Sequence, residues 1–243
     1  MFAEAEADLL ISAARTPVEL VAFVDERVAG LPLEHVLGWV SFCGLRVEVD
    51  RGVFVPRHRT ELLARNAAAL AGPDAVVVDL CCGSGAVGVA VIAALPYPAE
   101  LHATDIEPAA VRCARRNIAA VGGRVYEGDL FEPLPAQLRG RVDVLVANAP
   151  YVPSGSIQLM PPEARLYEPM VALDGGADGL DVLRRVVGVA PRWLAPGGHL
   201  LVETSEHQAS RTVEAFVRSG FVPKLVSSDE LDATVVIGSK PAP

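Results

Sequence analysis

The sequence predicts an α/β fold in which helices cover both faces of a mostly parallel sheet. Short apolar, β-branched runs alternate with helical patterns from Val76 onward, which is the arrangement a parallel sheet requires. A glycine-rich turn follows the first of these runs. Acidic or amide side chains stand at or just past the ends of four runs (Asp79, Asp105, Asp129 and Asn148). Ligands bind at that edge in open α/β sheets, so these side chains predict one shared site.

The composition is that of a folded chain with one α/β domain and a small accessory piece. The 243 residues are 51% hydrophobic, which excludes a disordered chain, and no apolar run reaches the length of a membrane span. The acidic first residues indicate no signal or transit peptide, so a cytoplasmic location is expected. The net charge of −9 disfavours binding to nucleic acid. The four cysteines lack Cys-x-x-Cys spacing and predict neither a metal site nor disulfides.

Residues 1–35 predict a short helical element. Thr16-Pro17 is a typical helix start, and Gly30 ends the second helix. Two short helices bury little surface alone, so we expect this element to dock on a larger body. The apolar residues spaced for one face of each helix are Leu9, Leu10 and Ala13, then Leu20, Phe23, Val24 and Val28.

Residues 36–60 predict a β-hairpin and a linker. Two runs of strand character, 39–42 and 45–49, flank the turn residues Cys43-Gly44. Pro56 ends a further extended run, and Thr60 is placed to cap a helix over Glu61–Leu70.

Residues 61–243 predict the larger α/β domain, in which strands and helices alternate. Helices are predicted over 86–95, 107–121, 180–189 and 208–219. The seven predicted strands cover residues 76–80, 100–104, 125–126, 142–146, 199–203, 221–226 and 234–238.

The turn after the first strand is built to hold a polar cofactor. Its sequence is Cys81-Cys82-Gly83-Ser84-Gly85, followed by the start of a helix. Glycines let the backbone approach a ligand closely, and the unpaired N–H groups of a helix start face it. The spacing from Gly83 to Gly88 also satisfies the dinucleotide pattern. However, the charge of Asp79 would repel a pyrophosphate and suits a sulfonium and an ammonium, which favours S-adenosylmethionine.

Two further strand ends supply groups for the adenosine part of such a cofactor. Asp105 lies about 20 residues past the turn, where a carboxylate can accept hydrogen bonds from both ribose hydroxyls. It is also placed to cap the next helix. Asp129 can accept from an adenine amine, with Ile106 and Leu130 in apolar contact with the ring, although Gly-Asp is also an ordinary turn.

The stretch Asn148-Ala149-Pro150-Tyr151 follows a buried strand and predicts the acceptor slot. Asparagine offers one acceptor and two donors in a plane. Pro150 restricts Ala149 to an extended conformation and so gives the Ala149 carbonyl a fixed direction. With the aromatic face of Tyr151, these groups can hold a planar amide or amine while its nitrogen lone pair faces outward. Asn-x-Pro is also common in turns, but the position after the fourth strand favours the slot.

Both stretches together resemble the class I S-adenosylmethionine-dependent methyltransferases that modify planar nitrogens. The chain is most similar to the protein-(glutamine amide) methyltransferases that act on peptide chain release factors, whose motif is Asn-Pro-Pro-Tyr. Ala149 makes this chain a variant, as in a paralogue. Further stretches carry the resemblance: Phe42-Cys43-Gly44, Val53-Phe54-Val55-Pro56-Arg57, Thr60-Glu61, Pro162-Glu163, Tyr167-Glu168-Pro169, Ala172-Leu173-Asp174-Gly175-Gly176, Asp178-Gly179-Leu180-Asp181 and Leu201-Val202-Glu203 with Gln208.

The resemblance implies a Rossmann-like methyltransferase fold and an enzyme that converts S-adenosylmethionine into S-adenosylhomocysteine. Separately, we expect a largely monomeric protein. The acceptor would be a glutamine amide in a release factor or in another protein, held on Asn148, Ala149, Pro150 and Tyr151. The implied cofactor site consists of Cys81, Cys82, Gly83, Ser84, Gly85, Asp105, Leu130 and Asn148, to which the residues themselves add Asp79, Ile106 and Asp129.

Two other functions remain open at the level of sequence. Enzymes that methylate the exocyclic amine of adenine in RNA or DNA use a similar slot, although the net charge and the tract 162–181 favour a protein amide. Because Ala149 departs from the motif, the chain could also be a catalytically silent module that binds the cofactor.

Overall fold

A computed structural model describes residues 3–242 of the chain. The first two residues of the predicted helical element and the last residue of the predicted α/β domain lie outside this range. The chain begins with helices α1 (Ala3–Ala13), α2 (Pro17–Val28) and α3 (Leu33–Leu37). The Thr16 hydroxyl accepts the Glu19 N–H at 3.1 Å and caps α2 as predicted. Helix α3 was not predicted, and it crosses the predicted boundary between residues 35 and 36.

The N-terminal helices enclose a small apolar core of their own. Leu20 and Phe23 of α2 pack against it, as predicted. The predicted apolar stripe is wrong for Val24 and Val28, which are 42% and 82% exposed, because this core is too small to cover the whole face of α2. The core residues are Leu10, Leu31, Leu33 and Val36.

The predicted hairpin and the helix that follows it are both present. Strands β1 (Trp39–Phe42) and β2 (Leu45–Glu48) pair antiparallel, and Cys43 and Gly44 have the positive φ angles of a two-residue hairpin turn. Helix α4 covers Glu61–Leu70. The predicted cap by Thr60 is wrong, because Thr60 has helical φ and ψ within a 3-10 turn and caps nothing with its side chain.

Within residues 3–242, seven strands form the main sheet, which confirms the predicted fold class. In space the order is β5-β4-β3-β6-β7-β9-β8, and β9 is the strand that runs antiparallel to its neighbours. The strands are β3 (Val76–Leu80), β4 (Glu100–Asp105), β5 (Arg124–Glu127), β6 (Val142–Ala147), β7 (Leu194–Thr204), β8 (Val222–Ser228) and β9 (Ala233–Ser239).

Helices cover the two faces of the sheet and produce two apolar cores. One core joins the sheet to α4, α5 and α6, and the other joins it to α8 and α9. No helix within residues 3–242 is long and apolar enough to cross a lipid bilayer. The remaining helices are α5 (Ala86–Ala94), α6 (Pro108–Ala119), α7 (Pro162–Tyr167), α8 (Asp181–Val189) and α9 (Ala209–Arg218).

The central strand β3 decides where a ligand can bind. Every residue of β3 is buried, which explains its continuous apolar run. The chain adds β4 and β5 on one side of β3 and then returns to place β6 on the other side. A crevice opens at such a switch point, outside the carboxyl ends of the strands. Asp79 in β3 and Asn148 after β6 therefore lie at the same edge of neighbouring strands.

Candidate active site

A single cleft at this edge contains nearly all of the predicted site residues. Gly85 is the exception, since it does not line the cleft. We call one wall the turn side; it consists of Asp79, Cys81, Cys82, Gly83, Ser84, Thr104, Asp105, Ile106, Glu107, Asp129 and Leu130. We call the other wall the motif side; it consists of Phe54, Arg57, Arg59, Thr60, Asn148, Ala149, Pro150, Tyr151, Met160, Pro169 and Val171.

Asp105 holds the glycine-rich turn in place. Its Oδ2 accepts the Gly83 N–H at 2.8 Å and its Oδ1 accepts the Glu107 N–H at 2.9 Å. Helix α6 has Glu107 at its N-cap with no side-chain cap, so the alternative of Asp105 as the cap is wrong. Burial raises the pKa of Asp105, and the two N–H groups oppose that rise. Each carboxylate oxygen can accept a second hydrogen bond, which leaves Asp105 able to bind a ligand.

Gly85 packs beneath the turn. Its φ is +80°, and a Cβ at this position would stand 2.9 Å from the Ile118 side chain. At Gly83, by contrast, φ is +55° and a Cβ would meet nothing within 4 Å. Gly83 therefore lies against open space in the cleft, whereas the position of Gly85 supports a packing role.

Asp79 places a buried carboxyl group at the floor of the turn side. It is 2% exposed, and its Oδ2 accepts the Gly88 N–H at 2.9 Å. Burial, with a smaller effect from Asp105, raises the pKa of Asp79 to about 7. Among residues 3–242, no basic side chain forms an ion pair with Asp79. A cationic ligand would supply the missing positive charge.

Two buried hydroxyl groups on the turn side have no partner among the described residues. Ser84 Oγ and Thr104 Oγ1 line the cleft and form no hydrogen bond. Buried hydroxyl groups are normally paired, so these two indicate a polar ligand. The sequence predicted Ser84 for the site but not Thr104, which lies within a strand next to Asp105.

The residues predicted to contact adenine lie together at the far end of the turn side. Asp129 forms an ion pair with Arg185 of α8 through Oδ2, which leaves its other oxygen for a ligand. Leu130 is buried with φ +49°, and Ile106 is half exposed within the cleft. This arrangement offers an apolar surface beside a hydrogen-bond acceptor.

Cys81 and Cys82 contribute packing and shape to the turn side. Burial raises the pKa of both thiols, and the nearby charges of Asp105 and Asp79 raise it further. Both therefore remain protonated and unreactive at neutral pH.

On the motif side, Asn148 is held by a residue from the linker. Its Nδ2 donates to Thr60 Oγ1 at 3.3 Å. The amide nitrogen is thereby engaged, and Oδ1 is the atom left to accept a hydrogen bond from a ligand. Ala149 is buried beside it, at 3% exposure.

Tyr151 is held at both its side chain and its backbone. Its hydroxyl donates to Glu203 Oε1 at 3.2 Å, and its carbonyl accepts from Gln208 Nε2 at 2.9 Å. Burial and the charge of Glu203 raise the pKa of Tyr151, so the phenol stays neutral. These contacts fix the aromatic ring next to Asn148.

The glycine tract after the motif packs against the backbone of the motif itself. A Cβ on Gly175 would stand 2.7 Å from the Pro150 carbonyl oxygen, and one on Gly179 would stand 2.3 Å from that of Tyr151. Val152 pairs with Asp174 in a short bridge. This close approach explains why the tract needs glycine at these two positions.

Two arginines complete the motif side, and the sequence analysis had given them no role. Arg57 Nη2 contacts both oxygens of buried Glu168, at 2.6 and 2.7 Å. Arg59 Nε lies 3.7 Å from Glu203 Oε1. The run Arg57-His58-Arg59 directly before α4 was the available signal. Phe54, Thr60 and Glu203 stood in stretches that carry the family resemblance, but no local pattern assigned them to the site, because their neighbours in the cleft are distant in sequence.

The two walls of the cleft suit two different ligand groups. The turn side presents carboxylates and free hydroxyls to a polar, cationic ligand. The motif side presents Asn148 Oδ1, the Ala149 backbone and the Tyr151 ring to a planar group with N–H bonds. Because both walls line one cleft, a group held on one can meet a group held on the other.

Comparison with known proteins identifies the chain's relatives. The model of the family "Methyltransferase small domain" matches residues 45–160. A release factor glutamine methyltransferase from Geobacter sulfurreducens is 40% identical over 229 residues, covering 92% of this chain and 79% of that protein. A 4-amino-L-phenylalanine/4-methylamino-L-phenylalanine methyltransferase from Streptomyces pristinaespiralis is 36% identical, covering 82% and 69% respectively.

A solved structure shows the same fold. The crystal structure of a methyltransferase from Pyrococcus furiosus matches with a TM-score of 0.59 at 17% identity, covering 91% of this chain and 98% of that one. The chain belongs to the family of the release factor glutamine methyltransferases.

Proposed function

We propose that the protein transfers a methyl group from S-adenosylmethionine to the side-chain amide nitrogen of a glutamine in a protein, with a peptide chain release factor as the first candidate. One observation carries the proposal: Asn148, Ala149 and Tyr151 line the same cleft as the glycine-rich turn. The 40% identity to a release factor glutamine methyltransferase supports the choice of acceptor.

The residues of the turn side fit S-adenosylmethionine. Asp79 would pair with the positive methionine end, and the free hydroxyls of Ser84 and Thr104 would bind its polar groups. Asp105 would accept from the ribose hydroxyls. Asp129 would accept from the adenine amine, while Ile106 and Leu130 would pack on the ring. The bound cofactor supplies an electrophilic methyl group on its sulfonium.

On the motif side, catalysis would consist of positioning. Asn148 Oδ1 and the Ala149 carbonyl would accept the two N–H bonds of the amide, and Tyr151 would pack on its plane. The nitrogen lone pair would then face the methyl group in line, a geometry that lowers the barrier by orientation alone. The N–CH₃ bond would form as the S–CH₃ bond breaks and S-adenosylhomocysteine leaves. The amide nitrogen gains positive charge as it reacts, so hydrogen bonds to its N–H groups strengthen in the transition state. One N–H proton would then pass to solvent.

The three predicted parts of the chain would then divide the work. Residues 61–243 would bind the cofactor and residues 36–60 would supply Thr60 and the arginines of the motif side. Residues 1–35 would help to receive the protein substrate, through the ion pair between Arg27 and Glu163 that joins them to the segment after the motif. The protein would act as a monomer.

A small aromatic amine is the second candidate acceptor. The relative of 36% identity is a methyltransferase of 4-amino-L-phenylalanine. An aromatic amine is planar, so it would fit the same slot, and Arg59 on the motif side would offer a positive charge to the carboxylate of a free amino acid.

The acceptor class can be decided with one labelled cofactor. Purified protein is incubated with S-adenosylmethionine labelled in the methyl group and with release factor, 4-amino-L-phenylalanine, RNA or DNA. We expect label on the release factor, at a glutamine located by mass spectrometry, and none with the Asn148→Ala variant. Label on nucleic acid or on the amino acid alone would contradict the proposal. If the protein binds S-adenosylhomocysteine but transfers label from S-adenosylmethionine to none of these acceptors, it is a silent module.

A further inference from the structure

Glu203 lies behind the motif side and stands next to two of its residues, Tyr151 and Thr60. It is near the carboxyl end of β7, 2% exposed, and is not part of the cleft surface. Its Oε1 accepts the Tyr151 hydroxyl at 3.2 Å. The Thr60 hydroxyl lies beside the same carboxylate and lowers its pKa. Thr60 Oγ1 in turn accepts from Asn148 Nδ2 at 3.3 Å.

Burying this carboxylate has a cost that local packing does not offset. Burial raises the pKa of Glu203, while Thr60, Arg59, Tyr151 and Arg57 lower it. Its Oε2 is buried without a hydrogen-bond partner of good geometry among the described residues. A buried, unpaired carboxylate oxygen lowers the stability of the fold, and a role in the function of the site would explain why it is present.

The chemistry of the hydroxyl group connects Glu203 to Asn148. Arg59 and Arg57 favour the ionised form of Glu203, which can only accept hydrogen bonds. The Thr60 hydroxyl beside it would therefore direct its proton to Glu203. The oxygen of Thr60 then has only lone pairs to offer Asn148, and only the NH₂ group of the Asn148 amide can donate to them. The amide is thereby oriented with Oδ1 toward the cleft.

We propose that Glu203, acting through Thr60, is a positioning residue that fixes the orientation of the Asn148 amide and so selects an acceptor with N–H bonds over a carboxylate. The inference rests on the proposed function and deepens it. A glutamine amide donates to Asn148 Oδ1 and to the Ala149 carbonyl. The carboxylate of a glutamate presents two acceptor oxygens to the same two oxygens and is repelled.

The opposite orientation shows what Glu203 prevents. In the Glu203→Gln variant, the new side-chain amide can donate a hydrogen bond from its NH₂ group to Thr60. The Thr60 hydroxyl then donates to Asn148, whose amide turns its NH₂ group to the cleft. A slot in that state repels the N–H bonds of an amide and attracts a carboxylate.

Two peptides that differ only in a glutamine or a glutamate at the target position test the proposal. We compare the whole protein with its Thr60→Val, Thr60→Ser and Glu203→Gln variants. For each protein we measure kcat and KM with the glutamine peptide. We also measure the affinity for both peptides in the presence of S-adenosylhomocysteine, and the affinity for S-adenosylhomocysteine without peptide. Thr212→Val is the matched control, since Thr212 is a buried threonine outside the cleft that bonds Thr204 at 3.0 Å.

We expect Thr60→Val and Glu203→Gln to reduce the preference for glutamine over glutamate about tenfold or more, the size of one lost charge-assisted hydrogen bond. The affinity for S-adenosylhomocysteine should stay unchanged. Thr60→Ser keeps the hydroxyl and should restore the preference, and Thr212→Val should leave it intact.

Three outcomes would overturn the proposal. The first is a preference for glutamine that survives both Thr60→Val and Glu203→Gln. The second is an equal loss of affinity for both peptides, which a purely structural role predicts. The third is a Thr60→Ser variant that does not restore the preference. A wild-type protein that binds the glutamine peptide in preference but never methylates it would contradict the proposed function and leave this inference standing. Binding of neither peptide would contradict both.

Discussion

The two sides of the cleft are built over very different distances along the chain. On the turn side, Asp79 and Gly88 are 9 residues apart, and Asp105 and Gly83 are 22 apart. On the motif side, Asn148 and Thr60 are 88 residues apart, and Tyr151 and Glu203 are 52 apart. One wall is built from successive strand ends between residues 79 and 130, whereas segments farther apart in the chain meet to form the other.

This difference separates cofactor binding from the choice of acceptor. Changes in the linker at Thr60 or in β7 at Glu203 would alter the motif side without touching the glycine-rich turn. The names of two relatives give different acceptors, release factor glutamine and 4-amino-L-phenylalanine, which such a separation would allow. Variants on each side should accordingly fail in different ways.

The largest effect is expected for Asn148→Ala. Loss of the oxygen that binds the acceptor should lower kcat/KM at least about a hundredfold, as for removal of one group that stabilises a transition state. The circular dichroism spectrum should not change, and affinity for S-adenosylhomocysteine should fall far less than kcat/KM. Asn66→Ala is the control, because Asn66 lies on α4 and bonds the carbonyl of Leu62. A normal rate in Asn148→Ala would remove the slot from the mechanism.

Asp105→Ala should damage the other side of the cleft. Both of its oxygens hold backbone N–H groups, so the change should weaken S-adenosylhomocysteine binding about tenfold to a hundredfold and also lower the melting temperature. Calorimetry and thermal denaturation measure the two effects. If affinity falls without any loss of stability, Asp105 does not hold the turn.

The glycines of the turn offer a paired test. Gly85→Ala should destabilise the protein by about 1–3 kcal/mol, because φ is positive and the new Cβ would stand 2.9 Å from Ile118. Gly83 also has a positive φ, but a Cβ there meets no atom within 4 Å, so Gly83→Ala should cost less stability than Gly85→Ala and should weaken cofactor binding more. Chemical denaturation and cofactor titration of both variants provide the comparison. The reverse pattern would place Gly85, not Gly83, against the cofactor.

Asp79→Asn should raise the stability of the protein at high pH while weakening its binding of S-adenosylmethionine. The raised pKa of about 7 means that the neutral form favours the fold and that this contribution is lost as pH rises through 7. The variant should therefore gain melting temperature relative to wild type at pH 8. It keeps the acceptor for Gly88 but loses the charge, so we expect binding of S-adenosylmethionine to weaken about tenfold.

Wild-type affinity for S-adenosylmethionine should also rise between about pH 5.5 and about pH 7, where the ligand's ammonium stays charged. The rise should vanish in Asp79→Asn. A wild-type affinity that is flat over this range would mean that Asp79 does not pair with the cation.

The smallest effect is expected for Ala149→Pro, which restores the Asn-Pro-Pro-Tyr motif. The carbonyl of residue 149 is kept, so kcat/KM for the glutamine peptide should change by less than about threefold, and the reduced freedom of the unfolded chain should add at most about 1 kcal/mol of stability. Steady-state kinetics and denaturation measure both. A gain of a hundredfold in activity would show that Ala149 had disabled the slot.

Local patterns were enough to predict most elements of the sheet and the turn. The run Val76–Leu80, its glycines and helix α5 follow one another directly, so spacing and residue type carry the information. Helix α3 was missed because five residues are too few to display a helical period. The burial of Val24 and Val28 was predicted wrongly because periodicity identifies an apolar face but not the amount of core available to cover it.

Thr60 shows most clearly what the sequence determined and what only the tertiary structure decided. A threonine before Glu61 is typical of a helix cap, and the start of α4 was predicted correctly on that pattern. The hydroxyl nevertheless bonds Asn148 and stands beside Glu203, because the packing of the linker over the ends of β6 and β7 brings these groups together. Short-range chemistry predicted the cofactor turn and the motif. The partners that orient the motif are set by long-range packing, which no local pattern encodes.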